Sequence, residues 1–227
     1  MQSLLKVNIA LFILLYCFMS SYACISHANE QIIINQQQSS SLRYQYSQDL
    51  LMSALDRTIT SHGEYEILDL IKLGTQDTST LMGKKNYGDV IQGASRPEWE
   101  ENLLPIRIPI LKGLHGVRLF VINKEMQAIF NNINSLEQLK ALSLGTGENW
   151  TITKVFKHYN FNIVPVNNAS FLYNMLEKKR FDCLSRGLHE VLIEYEANRK
   201  KNKDLHIEET ILLHIPLPAY FFVNPTK

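Results

Sequence analysis

Residues that could hold a small ligand follow an apolar run in the second half of the chain. The run begins at residue 139 and ends in Gly145, Thr146 and Gly147, where a helix is predicted to begin. Bare backbone N–H groups at the start of a helix attract carboxylates and other anions. The alternative is a plain tight turn, because the motif lacks the third glycine of a dinucleotide fingerprint. Glu148 would partly oppose an anion. Asn149 follows it and is a further candidate for ligand contact.

Aromatic and basic side chains add to the candidate ligand-binding residues. Trp99 and Trp150 are the only tryptophans in the sequence. Their rings could stack on a ring or a sugar face of a ligand, and local packing is the alternative for each of them. Arg186 follows another predicted strand. It could anchor a ligand, or it could form a surface salt bridge.

Catalytic and metal-binding chemistry have no comparable pattern. The sequence contains no G-x-S-x-G motif, and no candidate nucleophile has an obvious base. The histidines have no metal-ligand spacing, and His189 with Glu190 does not extend to H-E-x-x-H. Cys183 lies in an apolar strand run, which predicts a buried, unreactive thiol. We therefore expect no catalytic residue, no metal and no cofactor.

The elements that would position these residues alternate between strands and helices. Strands are predicted at the end of the run from residue 139, at 161–166 and at 181–187. Such alternation predicts a parallel sheet, and ligands bind outside the carboxyl ends of its strands. Further strands are predicted at 31–35, 65–71, 89–93, 117–123 and 219–223. Helices are predicted at 44–61, 75–82, 98–104, 124–132 and 189–202, the last with its charges on the outer face.

The first 28 residues differ from the rest. They have a weakly positive start, an apolar run and a small polar end at Ser26-His27-Ala28, the pattern of a cleaved signal peptide. An uncleaved membrane anchor, or a lipoprotein modified at Cys24, is the alternative. Without Lys6 the 23 basic residues become 22, equal to the 22 acidic ones. This balance gives no electrostatic case for a nucleic-acid partner.

The order of elements resembles the two-lobed periplasmic solute-binding proteins of bacterial transport systems, of the amino-acid-binding type. The stretch from Asp89 to Gly113 is similar to the end of the first lobe, where a strand delivers a ligand loop. Residues 117–123 are similar to the first hinge strand, 181–187 to a second-lobe strand facing the cleft, and 220–225 to the return into the first lobe.

The resemblance implies a fold class and a division of the chain. The fold is α/β, of the type II periplasmic-binding-protein-like architecture, with two lobes and a cleft between them. Each lobe is a mixed sheet flanked by helices. Residues 1–28 would be the signal peptide, 31–118 with 219–227 the first lobe, and 119–218 the second. The first lobe looks incomplete, because family members continue past the return strand with helices.

Two departures concern the ligand. The family usually carries an arginine for the ligand's carboxylate on the helix after the first-lobe loop, and here that position is Trp99. Arg96 could substitute for it. The family usually places an acidic residue after the second-lobe strand to hold an ammonium, whereas Arg186 would repel one. These departures leave an anionic, aromatic or sugar-like ligand open.

We therefore expect a periplasmic solute-binding protein that captures a small polar solute by hinge closure for a membrane permease or a sensor protein. The alternatives are a degenerate remnant that binds nothing and, less favoured, an enzyme on the same scaffold. The predicted ligand-binding residues are Ser95, Arg96, Trp99, Thr146, Gly147, Asn149, Trp150 and Arg186.

Overall fold

The structure is a computed structural model that describes residues 30–34, 42–69 and 89–225. The predicted signal peptide and the helix predicted at 75–82 lie outside these ranges. Within them, no helix combines the length and the apolar character needed to cross a bilayer.

A five-stranded sheet forms the first lobe, in the order β2-β1-β3-β11-β4. β1 is parallel to β2 and β3, whereas β11 is antiparallel to both of its neighbours. The strand from the far end of the chain therefore returns to the first sheet, as predicted. The strands are β1 (Glu30–Ile34), β2 (Tyr65–Asp69), β3 (Val90–Ala94), β4 (Leu104–Ile106) and β11 (Ala219–Val223).

The two-residue period of β11 divides the core of the first lobe between two faces. Ala219 and Phe221 pack on one face with residues of helix α1 (Leu42–Asp56), including Leu51. Phe222 packs on the other face with Trp99 and Leu103, at helix α3 (Pro97–Asn102). Pro97 at the start of α3 fits the first helical turn, where its missing N–H costs no hydrogen bond. A short helix, α2 (Ile59–His62), precedes β2.

A six-stranded sheet forms the second lobe, in the order β10-β5-β8-β6-β7, with β9 also paired to β5. β6 is parallel to β7 and β8, and β5 runs antiparallel to β8. The carboxyl ends of β6 and β8 consequently lie side by side. The strands are β5 (Val117–Asn123), β6 (Leu144–Gly147), β7 (Ile163–Val166), β8 (Cys183–Gly187), β9 (Leu205–Ile207) and β10 (Leu213–His214).

Helices pack against the second sheet through two apolar clusters. One cluster contains Phe120 and Phe156, and the other contains Val121 and Leu184. Neighbouring residues such as Phe120 and Val121 belong to different clusters because successive strand side chains point to opposite faces. The helices are α4 (Gln127–Phe130), α5 (Leu136–Ala141), α6 (Thr151–His158), α7 (Leu172–Glu177) and α8 (Leu188–Asn198). Cys183 is buried, as predicted.

Several predicted boundaries were wrong. Leu139 belongs to α5, and Gly145 to Gly147 lie within β6 instead of forming the turn. Gly145 suits this strand because a Cβ there would come within 2.3 Å of the Phe181 ring. The helix predicted at 124–132 is a 3₁₀ turn followed by α4, and the helix predicted at 189–202 ends at Asn198.

The chain crosses between the two sheets twice, before β5 and after β10. The crossovers lie against each other: Ile215 N–H donates to Gly116 O at 2.9 Å. A Cβ on Gly116 would stand 1.8 Å from Ile215 O, so this contact requires glycine. The protein is thus an α/β fold with two lobes, each a mixed sheet flanked by helices. The lobe limits given above stay a prediction.

Candidate functional site

Three predicted site residues follow β3 in the first lobe. Ser95 is fixed by its N–H, which donates to Pro218 O at 2.9 Å, and its hydroxyl donates to the Glu100 carboxylate. Arg96 precedes α3, with its guanidinium carbon 3.9 Å from the centroid of the Trp99 ring. Stacking of this kind holds a guanidinium by cation–π attraction. The structure therefore brings Ser95, Arg96 and Trp99 together.

Trp99 itself is part of the core. Its side chain is only 4% exposed, and its ring meets the Phe222 ring edge-on at a centroid distance of 5.2 Å. Gly93 lies beneath it, where a Cβ would come within 2.6 Å of the ring. Local packing thus accounts for the position of Trp99, and Arg96 is the group stacked on it. Burial lowers the pKa of Arg96, and the charge of Glu98 opposes this shift.

The remaining predicted residues are at the carboxyl ends of β6 and β8. Thr146 is buried, and its hydroxyl bonds the Thr153 hydroxyl at 2.6 Å. Thr153 also donates to Gly147 O at 2.7 Å, which ties the end of β6 to α6. The turn between strand and helix consists of residues 148–150, three residues later than predicted. Asn149 is exposed there, and Trp150 is half-buried.

Trp150 is held between the strand end and Arg186. A Cβ on Gly147 would come within 2.5 Å of Cε2 in the Trp150 ring, so the ring lies directly on the glycine. The guanidinium carbon of Arg186 is 4.4 Å from the centroid of the same ring. Gly147, Trp150 and Arg186 therefore form one compact group. Their contact with a ligand stays a prediction.

The packing of Trp150 on Gly147 gives a direct test. We expect Gly147→Ala to destabilise the fold by about 1–3 kcal/mol through overpacking and to change the tryptophan emission spectrum. Gly145→Ala is the matched control in the same strand, because it would strike Phe181 instead. Denaturant unfolding and fluorescence measure the two effects. Unchanged emission in Gly147→Ala would contradict this position of the ring.

Arg186 is only 3% exposed and is enclosed by carboxylates. Its Nε donates to Glu194 Oε2 at 2.6 Å, and its Nη2 is 2.9 Å from Glu190 Oε2. Glu194 also accepts a hydrogen bond from the Tyr173 hydroxyl at 3.0 Å. Burial disfavours the charged guanidinium, but Glu190 and Glu194 outweigh this cost and raise the pKa of Arg186.

A second buried arginine extends this group. Arg118 is 2% exposed; its Nη2 donates to Ser185 O at 3.0 Å, and its Nη1 is 3.8 Å from Glu190 Oε1. Burial lowers the pKa of Arg118 to about 10, against the attraction of Glu190. Burial favours the neutral form of Glu190, but Arg186 and Arg118 together lower its pKa to about 2. We call Arg118, Arg186, Glu190 and Glu194 the ion cluster.

Comparisons with known proteins identify similar structures but no similar sequences. No family model and no curated relative matches the chain. Solved structures do match. A putative binding component of an ABC transporter from Wolinella succinogenes, complexed with lysine, is 10% identical, with a TM-score of 0.62 over 88% of this chain and 84% of that one. An ancestral arginine-binding protein bound to glutamine is 14% identical, with a TM-score of 0.61 over 88% and 86%.

The chain has the fold of the two-lobed periplasmic solute-binding proteins. The Bordetella pertussis BvgS periplasmic VFT2 domain is similar as well, with 12% identity and a TM-score of 0.58 over 87% of this chain and 81% of that chain. At these identities the comparison establishes the fold alone.

Within the solute-binding-protein fold, sequence reasoning missed most of the ion cluster. Only Arg186 was predicted, and the surface salt bridge considered for it is a buried one. Glu190 was expected on the outer face of its helix, but it is 7% exposed. The four-residue spacing of Glu190 and Glu194 was the available signal, because it places both carboxylates on one side of α8, which begins directly after the strand that carries Arg186.

Proposed function

We propose that this protein binds a small polar solute between its lobes and closes around it by a hinge movement. The observation that carries the proposal is the solute-binding-protein fold, with polar and aromatic side chains at the carboxyl ends of β3, β6 and β8. Ligands of open α/β sheets bind at such strand ends. A ligand that contacts both lobes favours the closed state over the open one.

Within this proposal the predicted site residues have different roles. Arg96 and Ser95 approach the solute from the first lobe, and Asn149 and Trp150 approach it from the second. Trp99 supports the Arg96 guanidinium from below, and Arg186 supports the Trp150 ring. Thr146 and Gly147 shape the strand end. We expect an anionic group of the solute to meet Arg96, because a planar guanidinium binds a carboxylate through two hydrogen bonds.

The role of Arg186 follows from its surroundings. Two carboxylates already neutralise it, so it adds little attraction for an anion. Two of the solute-binding proteins that resemble this chain hold glutamine and lysine. We accordingly propose an amino acid or another small organic acid as the solute, delivered in the periplasm to a permease or a sensor. The similar proteins are binding proteins, which favours binding without catalysis.

A thermal-shift screen against amino acids, organic acids, sugars and peptides tests the proposal. A solute at about a hundredfold excess over its Kd adds about 2.7 kcal/mol to the free energy of unfolding and raises Tm. We expect one solute class to give this shift. Arg96→Gln should abolish it, whereas Arg199→Gln, which alters an exposed arginine directly after α8, should leave it intact.

Two outcomes would count against the proposal. A cooperative transition that no solute class shifts would favour a remnant without a ligand. A shift that Arg96→Gln leaves unchanged would support solute binding but would remove Arg96 from the site. Circular dichroism of Arg96→Gln establishes that a lost shift does not come from a lost fold.

A further inference from the structure

An exposed ion pair joins the two lobes on the rim where the candidate site residues lie. Lys154 Nζ contacts Glu98 Oε1. Glu98 is in the first turn of α3, directly after the β3 strand end, and Lys154 is in the first half of α6, directly after β6. Each residue is therefore close in sequence to a group proposed to touch the solute.

The pair bridges the two lobes. Glu98 is attached to the first sheet through α3, whereas Lys154 is attached to the second sheet through α6. Movement of the lobes away from each other on this side would separate the two side chains. The hydrogen bond from Lys154 lowers the pKa of Glu98, which keeps the carboxylate charged in the bridged arrangement.

A second exposed Lys–Glu pair lies within one lobe. Glu125 and Lys179 form a Lys–Glu contact of 2.6 Å between side chains that are 59% and 65% exposed. The corresponding exposures for Glu98 and Lys154 are 51% and 60%. The two pairs share chemistry and exposure, but Glu125 and Lys179 both belong to the second lobe. The chain thus provides its own control for a pair that crosses between lobes.

We infer that Glu98 and Lys154 form a latch that favours the closed arrangement of the lobes before a solute arrives. The inference rests on the hinge closure proposed above. An exposed pair stabilises one arrangement only modestly, so the latch biases the equilibrium and leaves opening accessible. Because the apparent affinity scales with the population of the competent state, the latch also tightens binding of the solute.

Spin labels on exposed positions one helical turn away measure the separation of the lobes. We place them at Glu101→Cys and Lys157→Cys, in a chain with Cys17 and Cys24 changed to serine; Cys183 is buried. Without solute and at low salt, Glu98→Gln or Lys154→Gln should lower the closed-to-open ratio about two- to fivefold. Raising NaCl to about 0.5 M should have the same effect on the unmodified pair.

Two further variants decide whether the pair itself is responsible. The charge swap Glu98→Lys with Lys154→Glu should restore the closed population, whereas Glu125→Gln should leave it unchanged. An unchanged label distance in both Glu98→Gln and Lys154→Gln would overturn the latch. So would an equal lengthening in Glu125→Gln. Either result can occur while solutes still shift Tm, so failure of the latch is distinct from failure of the proposed function.

Discussion

Replacing Glu190 with glutamine should lower the free energy of unfolding by about 3–5 kcal/mol. Glu190 lies between Arg186 and Arg118, and its Oε1 also accepts the Gly187 N–H at 2.9 Å. Loss of the Glu190 charge leaves the buried Arg118 guanidinium without its nearest carboxylate. A buried charge without compensation is costly because the interior solvates it poorly, so the loss exceeds that of an ordinary hydrogen bond.

Urea unfolding followed by circular dichroism measures this loss at about pH 7, where Glu190 is charged. Glu196→Gln is the matched control, since Glu196 is on the same helix but is 58% exposed and pairs with Arg199 at 2.6 Å. We expect about 0–1 kcal/mol for that variant. Equal losses in the two variants would contradict a buried, compensated cluster.

A double variant separates charge from packing. Arg118→Met with Glu190→Gln removes one positive and one negative charge, so the ion cluster stays balanced. We expect it to be more stable than Glu190→Gln alone, because a long apolar side chain occupies the space of Arg118 without a charge. A double variant that is less stable than the single one would mean that the hydrogen bonds of Arg118 to Ser185 outweigh its charge.

The elements that the sequence predicted well are those set by local sequence. The apolar runs at 117–123 and 219–223 match β5 and β11, whose side chains divide between two faces. Ser135 followed three residues later by Gln138 is a capping-box pattern, and the Ser135 Oγ does accept the Gln138 N–H at 3.2 Å. The Gln138 side chain, however, accepts from Asn134 N–H instead of returning to Ser135.

The environment of the site could not be predicted, because it depends on contacts between distant parts of the chain. Trp99 is buried because β11 returns to pair with β3 and brings Phe222 against its ring. Arg186 is neutralised because α8 folds back along β8, and Arg118 arrives from the antiparallel β5. Residue types alone suggested ligand anchors at these positions, whereas partners from other strands decide which charges are already compensated.

The second large effect is a loss of stability in mild acid that comes from His115. Burial is the main cause that lowers the pKa of His115 to about 4, and the charges of His189 and Arg118 add to it. The charge of Arg186 also lowers the pKa of His115, whereas the charge of Glu190 raises it. The centroids of the His115 and His189 rings are 5.0 Å apart, with His115 in the 3₁₀ turn before β5 and His189 at the start of α8. A proton on His115 would thus add charge beside the two buried arginines.

The direction in which stability changes with pH follows from the pKa values of His115 in the folded and the unfolded chain. The unfolded chain binds a proton near pH 6.5, whereas the folded chain does so only near pH 4. Stability is therefore full above about pH 6.5 and falls as the pH drops toward 4, by a total on the order of 3 kcal/mol. Glu190, whose pKa is lowered to about 2 from 4.5, loses its contribution only below about pH 4.5. Titration of Glu190 therefore does not contribute to the loss of stability above pH 4.5, where His115 does.

His115→Gln tests this assignment, with His158→Gln as the control because His158 is exposed on α6. Between about pH 7 and pH 5, we expect the wild type and His158→Gln to lose about 2 kcal/mol of unfolding free energy that His115→Gln keeps. The comparison uses the change in the free energy of unfolding with pH. Any constant cost of the substitution cancels, because lost ring contacts weaken the variant equally at both pH values. A His115→Gln slope equal to that of the wild type would place the acid sensitivity elsewhere, with His189 the next residue to replace because it shares the same ring contact and the same arginines.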